Sequence, residues 1–408
     1  MEEQIDSKNY DSLSKTLPAI KGLAILAIVM FHLLIYSANP KSFSHIVATS
    51  TGKGLGGLID GFLYTICLLG SHGVHFFLIA SGFGLAASWW RQTYSSKKSS
   101  RPFTIVSFWR RRLLRLLPLY WLAICFALIL LLINRNWVPY GGEIFTQGSM
   151  EVFAAIVTTL TTVRNVIWKY YFFLNGAWWY VGLSIQLYLI FPFLIRFIQR
   201  WGCSILLIAS LLISLTYRGL IVALPLNQLV TELLLRGSLF PSRLFEFVFG
   251  MVLAISLLEK NNLKNTNTFN SLFQFSKNLV IERRWLGLNL FLWVLGVACD
   301  WASSNEQWII LKVPADALIG IGEFSLVFQL LTAMKWANNW LNILGNYSYG
   351  IFLTHMNVYV GLWLLMRSII PSYWVRFALV TFMTCVVGVF LELSYNWVAK
   401  KYFSKQLA

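Results

Sequence analysis

Two side chains in the stretch Leu17 to Tyr36, LPAIKGLAILAIVMFHLLIY, are out of place in hydrocarbon: Lys21 and His32. They stand eleven positions apart. Eleven steps of about 100° return to within about 20° of a whole number of turns, so one helix face carries both, roughly 16 Å apart. An ionisable residue inside a span is expensive and marks a functional site by default. The competing structural account has Lys21 reaching the interface along its aliphatic stem while His32 hydrogen-bonds a neighbouring helix.

Further residues of this kind recur along the chain. Arg110, Arg111, Arg112 and Arg115 open a third apolar run in FWRRRLLRLLPLY. Their i,i+3 and i,i+4 spacings let three guanidiniums share one surface, which suits phosphate oxygens. The same cluster also serves as a plain positive anchor. GVHFFLIASGFG, residues 73–84, places Ser81 among glycines that permit close helix approach. His72 and His75 are i,i+3, yet no carboxylate stands near them in sequence, which argues against a metal. Trp178, Trp179 and Tyr180 read as an interfacial aromatic belt. Gln186 and Tyr188 read as bridges between helices. Arg243 and Glu246, i,i+3 in SRLFEFVFG, read as an intrahelical ion pair or as charges lining a cavity. In LGNYSYGIFLTH, residues 344–355, Ser348 and His355 are seven apart and share a helix face. Asp316, Glu323 and Glu392 are acids inside apolar runs with no partner evident from sequence.

These residues need a membrane scaffold to hold them. Of 408 residues, 57% are hydrophobic, 16% aromatic and only 12% charged, with repeated apolar runs near 20 residues. That composition defines an all-α polytopic membrane protein. Hydropathy predicts about ten spans: 17–37, 72–90, 115–134, 178–197, 203–217, 239–258, 285–302, 314–334, 341–365 and 374–398. Residues 55–70 suit a separate short helix, 152–163 is too short to cross, and 219–235 either extends the fifth span or lies at the interface. The acidic start and the lack of a small-residue cleavage pattern make the first run a retained helix. The net charge of +17 fits membrane-flanking loops and anionic headgroups better than nucleic acid. With both termini cytoplasmic, 22 of the 33 Lys and Arg fall on inner segments. All five histidines, His45 in the first outer loop included, then fall on the outer side. The expected division is a cytoplasmic tail over 1–16, one transmembrane domain over 17–398 and a basic tail over 399–408. The five cysteines are scattered and read as packing residues.

Six of these stretches together resemble the membrane acyltransferase 3 family, the integral-membrane O-acyltransferases of cell-surface polysaccharides. They are GLAILAIVMFH, GVHFFLIASGF, RRxLRxxPxY at Arg111 to Tyr120, WYVGLSIQLYLIFP, RLFEFVFG and LGNYSYGIFLTH, running in the family's order. The resemblance implies a ten-helix core that passes an acyl group from cytoplasmic acyl-CoA, acetyl-CoA foremost, to an extracytoplasmic hydroxyl. His32 matches the family's first-helix catalytic histidine. Lys21 stands where an arginine is usual, and Ser184 where many members have a glutamate.

The mechanism so implied has Arg111, Arg112 and Arg115 holding the nucleotide end of acyl-CoA, with Lys21 as a secondary contact. His32 is the general base on the acceptor hydroxyl, with a transient acyl-histidine as the alternative. Tyr349 or Ser348 is the candidate oxyanion donor. His355 either orients His32 or serves its own helix, the second reading being favoured. Ser81, Gln186, Arg243 and Glu246 are structural or cavity-lining. The expected partners are membrane lipid and a glycan or glycolipid acceptor, with no metal and no nucleic acid, in the cytoplasmic (inner) membrane. Two other classes compete: a proton-coupled transporter or flippase, and a non-catalytic membrane subunit.

Overall fold

The computed structural model describes residues 2–38, 54–94, 103–259 and 270–407; His45, Lys97, Lys98, Arg101, Lys260 and Lys264 lie outside them. The helices are α1 (Glu2–Ala38), α2 (Gly54–Leu69), α3 (Gly73–Tyr94), α4 (Ile105–Ile133) and α5 (Ser149–Leu160). There follow α6 (Trp179–Trp201), α7 (Cys203–Ala223), α8 (Gln228–Leu233), α9 (Leu244–Leu258) and α10 (Asn270–Ile281). The last five are α11 (Leu286–Ala302), α12 (Lys312–Ala333), α13 (Lys335–Asn346), α14 (Ser348–Met366) and α15 (Tyr373–Leu407). No strand occurs among the described residues.

Nine stretches among the described residues are long and apolar enough to cross a membrane: Lys8–Ala38, Gly56–Tyr94, Ile105–Ile133, Gly176–Trp201, Cys203–Ala223, Phe240–Leu258, Arg283–Ala302, Ser348–Met366 and Tyr373–Lys401. The chain is an all-α integral membrane protein. Several boundaries differ from those hydropathy predicts. The fifth span does not stop at 217 but carries Arg218 inside it to Ala223. The predicted run 341–365 is broken at Tyr347, whose backbone (φ −110°, ψ 20°) separates α13 from α14. On α13, Trp336, Trp340 and Ile343 are exposed at i, i+4 and i+7. That is the character of a helix lying in a membrane interface, not of one that crosses. The terminal segments read as tails are helical, as continuations of α1 and α15.

The chain packs as two compact units, one of Met1–Ile20, His75–Leu113 and Gly182–Trp340, the other of Lys21–Val74, Leu114–Val181 and Leu341–Ala408. In the first, α9 is the core: it is apolar all round, and every residue from Leu244 to Leu257 is buried. Helices α7, α10 and α12 pack against it, and α11 pairs with α12. Helix α3 meets α9 backbone to backbone. A Cβ at Gly82 would strike the Phe247 carbonyl, and one at Gly250 the Ile79 carbonyl. In the second unit, α14 is buried along most of its length and lies along α15. Those two cross where Gly350 faces the Gly388 carbonyl. Without a hydrophobic drive between helices in lipid, such small-residue contacts carry much of the association.

Gly250→Leu is expected to lower the thermal midpoint of the detergent-purified protein by the equivalent of about 1–3 kcal/mol, or to prevent folding. Gly84→Ala, two residues from Gly82 and with nothing within 4 Å of its added Cβ, is expected to match the wild type. Fluorescence-detected size exclusion after heating reads both.

Candidate active site

In the second unit, His32 on α1 and His355 on α14 meet: His355 Nε2 lies 3.3 Å from His32 Nδ1, with ring centroids 5.0 Å apart. His355 Nδ1 lies 2.7 Å from the Phe352 carbonyl oxygen, and His32 Nδ1 lies 3.0 Å from that of Ile28. A carbonyl only accepts, so each Nδ1 must carry the proton in a neutral ring. His355 Nε2 is then a lone pair and accepts from His32 Nδ1–H, which is shared with Ile28. The tautomers follow from these partners. They leave Nε2 as the unprotonated nitrogen of His32. His355 is fully buried and His32 half-buried. His355 thus meets its own helix through one nitrogen and His32 through the other.

A segment that sequence analysis passed over seats itself on α14 beside His355. Asn175 Nδ2 donates to Asn357 Oδ1 at 2.8 Å and to the Leu353 carbonyl at 3.3 Å. Trp178 Nε1 donates to the same carbonyl at 2.9 Å, and Asn357 Nδ2 to the Leu174 carbonyl at 2.9 Å. Arg164, fully buried, gathers the segment by donating to the carbonyls of Phe173, Tyr171 and Asn175. Trp178 and Trp179 are therefore buried, at 1% and 6% exposure, and do not form the interfacial belt expected of them. Asn357 in an otherwise apolar helix was the one available signal.

The hydroxyls of Ser348 and Tyr349 donate to the carbonyls of Gly345 and Leu116, at 2.9 and 2.8 Å. Glu392, an acid without a partner in sequence, accepts from the Gly350 N–H at 2.7 Å, in the first turn of α14, where the helix dipole favours an anion. Lys21 lies within electrostatic reach of both Glu392 and Arg115. Two cations and one carboxylate leave this group with an excess positive charge. Arg110, Arg111 and Arg115 are exposed along the first turns of α4, and Arg112 lies over the Phe108 ring at 5.6 Å.

The first unit holds a second cluster, fully buried and built from α3, α7, α9 and α12. Asp316 takes Arg218 Nη1 at 2.5 Å and Arg243 Nη1 at 2.8 Å. Glu246 takes Arg243 Nη1 and His75 Nδ1, each at 3.2 Å. The predicted Arg243–Glu246 pair is present, but as part of a network. His75 does have carboxylates near it, contrary to the sequence reading, since folding brings Glu246 and Asp316 to its two nitrogens (Nε2 to Asp316, 3.7 Å). The two guanidiniums fill the place a cation between those acids would take. Arg218 also donates to the carbonyls of Val313, Leu235 and Lys312. An arginine within an apolar run was itself the signal for it. Gln186 bridges as expected, donating to the Ser238 carbonyl and accepting from Phe240 N–H, both at 2.9 Å. Ser81 is half-buried on α3 beside Gly82.

The described residues thus form a helical membrane protein with a histidine pair in one unit and a buried charge network in the other. The chain belongs to the acyltransferase domain family, whose profile matches residues 15–393. Among its relatives are the O-acetyltransferase OatA of Staphylococcus aureus strains NCTC 8325 / PS 47, COL and MRSA252, each 23% identical over 416 residues. Those alignments cover 97% of this chain, which spans 59% of each relative's length. No solved structure matches the chain.

Asp316→Ala would strand two buried guanidiniums, and is expected to cost about 3–5 kcal/mol of stability. Thermal unfolding in detergent should show a much larger loss than Glu151→Ala, whose exposed pair with Lys169 (2.6 Å) is worth little.

Proposed function

We propose that the protein is an O-acyltransferase of the cytoplasmic membrane. It moves an acyl group, acetyl foremost, from cytoplasmic acyl-CoA to a hydroxyl of an extracytoplasmic glycan or glycolipid, with both termini inside. The observation that carries this reading is the hydrogen bond from His32 Nδ1 to His355 Nε2. An alcohol is a weak nucleophile near neutral pH, so transfer needs a base positioned on its proton. With Nδ1 protonated and bonded, His32 Nε2 takes the acceptor's proton as its oxygen attacks the thioester carbonyl. The tetrahedral intermediate collapses by breaking the carbon–sulfur bond, and the imidazolium returns the proton to the departing thiolate. His355, accepting from Nδ1–H, holds the ring's orientation and favours the imidazolium formed in transit. Family membership and the O-acetyltransferase relatives support the acyl class.

The donor's anionic end is assigned to the positive group on α1 and α4. Lys21 stands about three turns from His32 along α1, a distance of roughly 16 Å that an extended thiol arm can cover, and Arg115 of α4 lies within electrostatic reach of Lys21. Arg111 and Arg112 lie one turn earlier on the same helix as Arg115. Guanidinium forks bind phosphate bidentately, whereas Lys21 offers a point charge.

His32→Ala is expected to lower labelled acyl transfer by about 100- to 10,000-fold with unchanged elution and thermal midpoint. Wild-type rates in that variant would remove the base. For the positioning role, His355→Leu is expected to lower kcat with donor and acceptor KM unchanged. His355→Gln, whose amide oxygen can still accept from Nδ1–H, should recover part of it. Equal loss in both would reduce His355 to packing. Replacing Arg112 and Arg115 with Gln should raise the donor KM about tenfold and leave kcat alone; an unchanged KM returns the cluster to an anchor.

A further inference from the structure

In the second unit the contact between α1 and α14 continues past the histidines. Tyr36 stands four residues after His32 and Tyr359 four after His355, so each shares its histidine's helix face one turn on. The rings meet in two successive rungs: His32 with His355 at 5.0 Å between centroids, then Tyr36 with Tyr359 at 5.6 Å. A tyrosine of an interfacial belt sits at the headgroup level against lipid, whereas Tyr36 turns to α14. The segment after α4 joins them. Trp137 lies against α14 at Gly361, and Tyr140, whose ring meets Phe172 at 5.4 Å, comes within electrostatic reach of Tyr359. Tyr36 and Tyr140 are exposed, at 37% and 40%. Tyr359 is only 1% exposed, yet its hydroxyl has no hydrogen-bond partner among the described residues. The Tyr36 hydroxyl has none there either. Tyr120, as deeply buried in the same unit, does have one, donating to the Thr159 carbonyl at 2.9 Å.

A buried hydroxyl left unpaired has lost its water and gained nothing in return, and it needs a reason. The groups around Tyr359 are phenols, which pair with hydroxyls through their tips and offer flat apolar faces beside them. That chemistry suits a neutral ring bearing several hydroxyls. We infer that Tyr36, Tyr140 and Tyr359 form the acceptor subsite: a sugar ring lies against the exposed Tyr36 face, one of its hydroxyls bonds Tyr359, and the hydroxyl to be acylated turns towards His32. The two rungs are one helical turn apart, roughly 6 Å, which a single sugar ring can bridge. The inference rests on the transferase reading above, and it makes the acceptor a carbohydrate and not a fatty alcohol.

The test uses the full chain in nanodiscs, labelled acetyl-CoA as donor, and two soluble acceptors, methyl glucoside and 1-hexanol. Tyr359→Phe and Tyr36→Leu are each expected to raise the glucoside KM about five- to tenfold, with hexanol transfer and the donor KM unchanged. Tyr359→Phe should also keep the wild-type thermal midpoint, because the hydroxyl it removes holds nothing within the protein. Tyr120→Phe, which breaks a buried hydrogen bond, should lower it. A glucoside KM within about twofold of wild type in both Tyr359→Phe and Tyr36→Leu would overturn the subsite, as would be found if water alone met Tyr359. A midpoint for Tyr359→Phe as low as that for Tyr120→Phe would reveal a partner inside the protein and overturn it as well. Preference of the wild type for hexanol would remove the sugar and leave the transferase reading standing. Transfer to neither alcohol would sink both readings together.

Discussion

A proton on a ring nitrogen inside a membrane domain must be given to an acceptor within the protein, because hydrocarbon supplies none. At His355 that rule fixes more than stability. The Phe352 carbonyl claims Nδ1–H, which makes Nε2 an acceptor, which in turn claims Nδ1–H of His32. Two backbone carbonyls, that of Ile28 directly and that of Phe352 two hydrogen bonds away, thus set which nitrogen of His32 is basic. The arrangement is a second-layer partner setting a tautomer, as carboxylates and carbonyls do for histidines elsewhere. It asks that α14 be held rigidly, and the surrounding structure does so. Asn175, Trp178 and Asn357 pin one stretch of it, while Glu392 caps its start through Gly350.

The same rule explains why the buried charges occur as a closed set. Asp316 alone would be ruinous in a low-dielectric interior, and so would Arg218 or Arg243. Together with Glu246 the two guanidiniums and Asp316 sum to zero, and each carboxylate meets a guanidinium. Such a set adds little net stability over an apolar core, but it tolerates no missing member. It also requires α3, α7, α9 and α12 to arrive in one register. The glycines that let α3 approach α9 are part of that demand, since a bulkier residue at Gly82 or Gly250 would push His75's helix away from Glu246's.

Much of this was legible in the chain. Apolar runs near 20 residues announce a helical membrane fold, and an ionisable residue in such a run announces a candidate site. Lys21, His32, Arg243, Glu246 and His355 were all visible in that way. The Arg243–Glu246 pair was readable because its spacing is local. What could not be read was pairing across sequence: Asp316 with Arg218, His75 with Glu246, Asn175 with Asn357, at separations that no periodicity encodes. The break at Tyr347 was hidden because residues 341–365 stay apolar through it, and hydropathy is blind to a single backbone dihedral. Trp178 misled for a related reason. A tryptophan at a helix start is at home in the interface, unless an indole acceptor such as the Leu353 carbonyl waits inside.

The arginines themselves separate into two kinds, and the difference bears on which can recruit an anion. Arg164 spends its donors on three carbonyls. Arg218 spends its own on three carbonyls and Asp316, and Arg243 on Asp316 and Glu246. A guanidinium has five N–H groups in a fixed fork, so these three, buried as they are, have little left for a ligand. Their charge is committed to holding the protein together. Arg110, Arg111 and Arg115 are exposed, and exposure preserves both the donors and the freedom to turn them. Counting positive charge along the sequence cannot make this distinction. Counting the acceptors already around each guanidinium does, and it leaves the exposed guanidiniums of α4, not the buried network, with N–H groups to offer an anion.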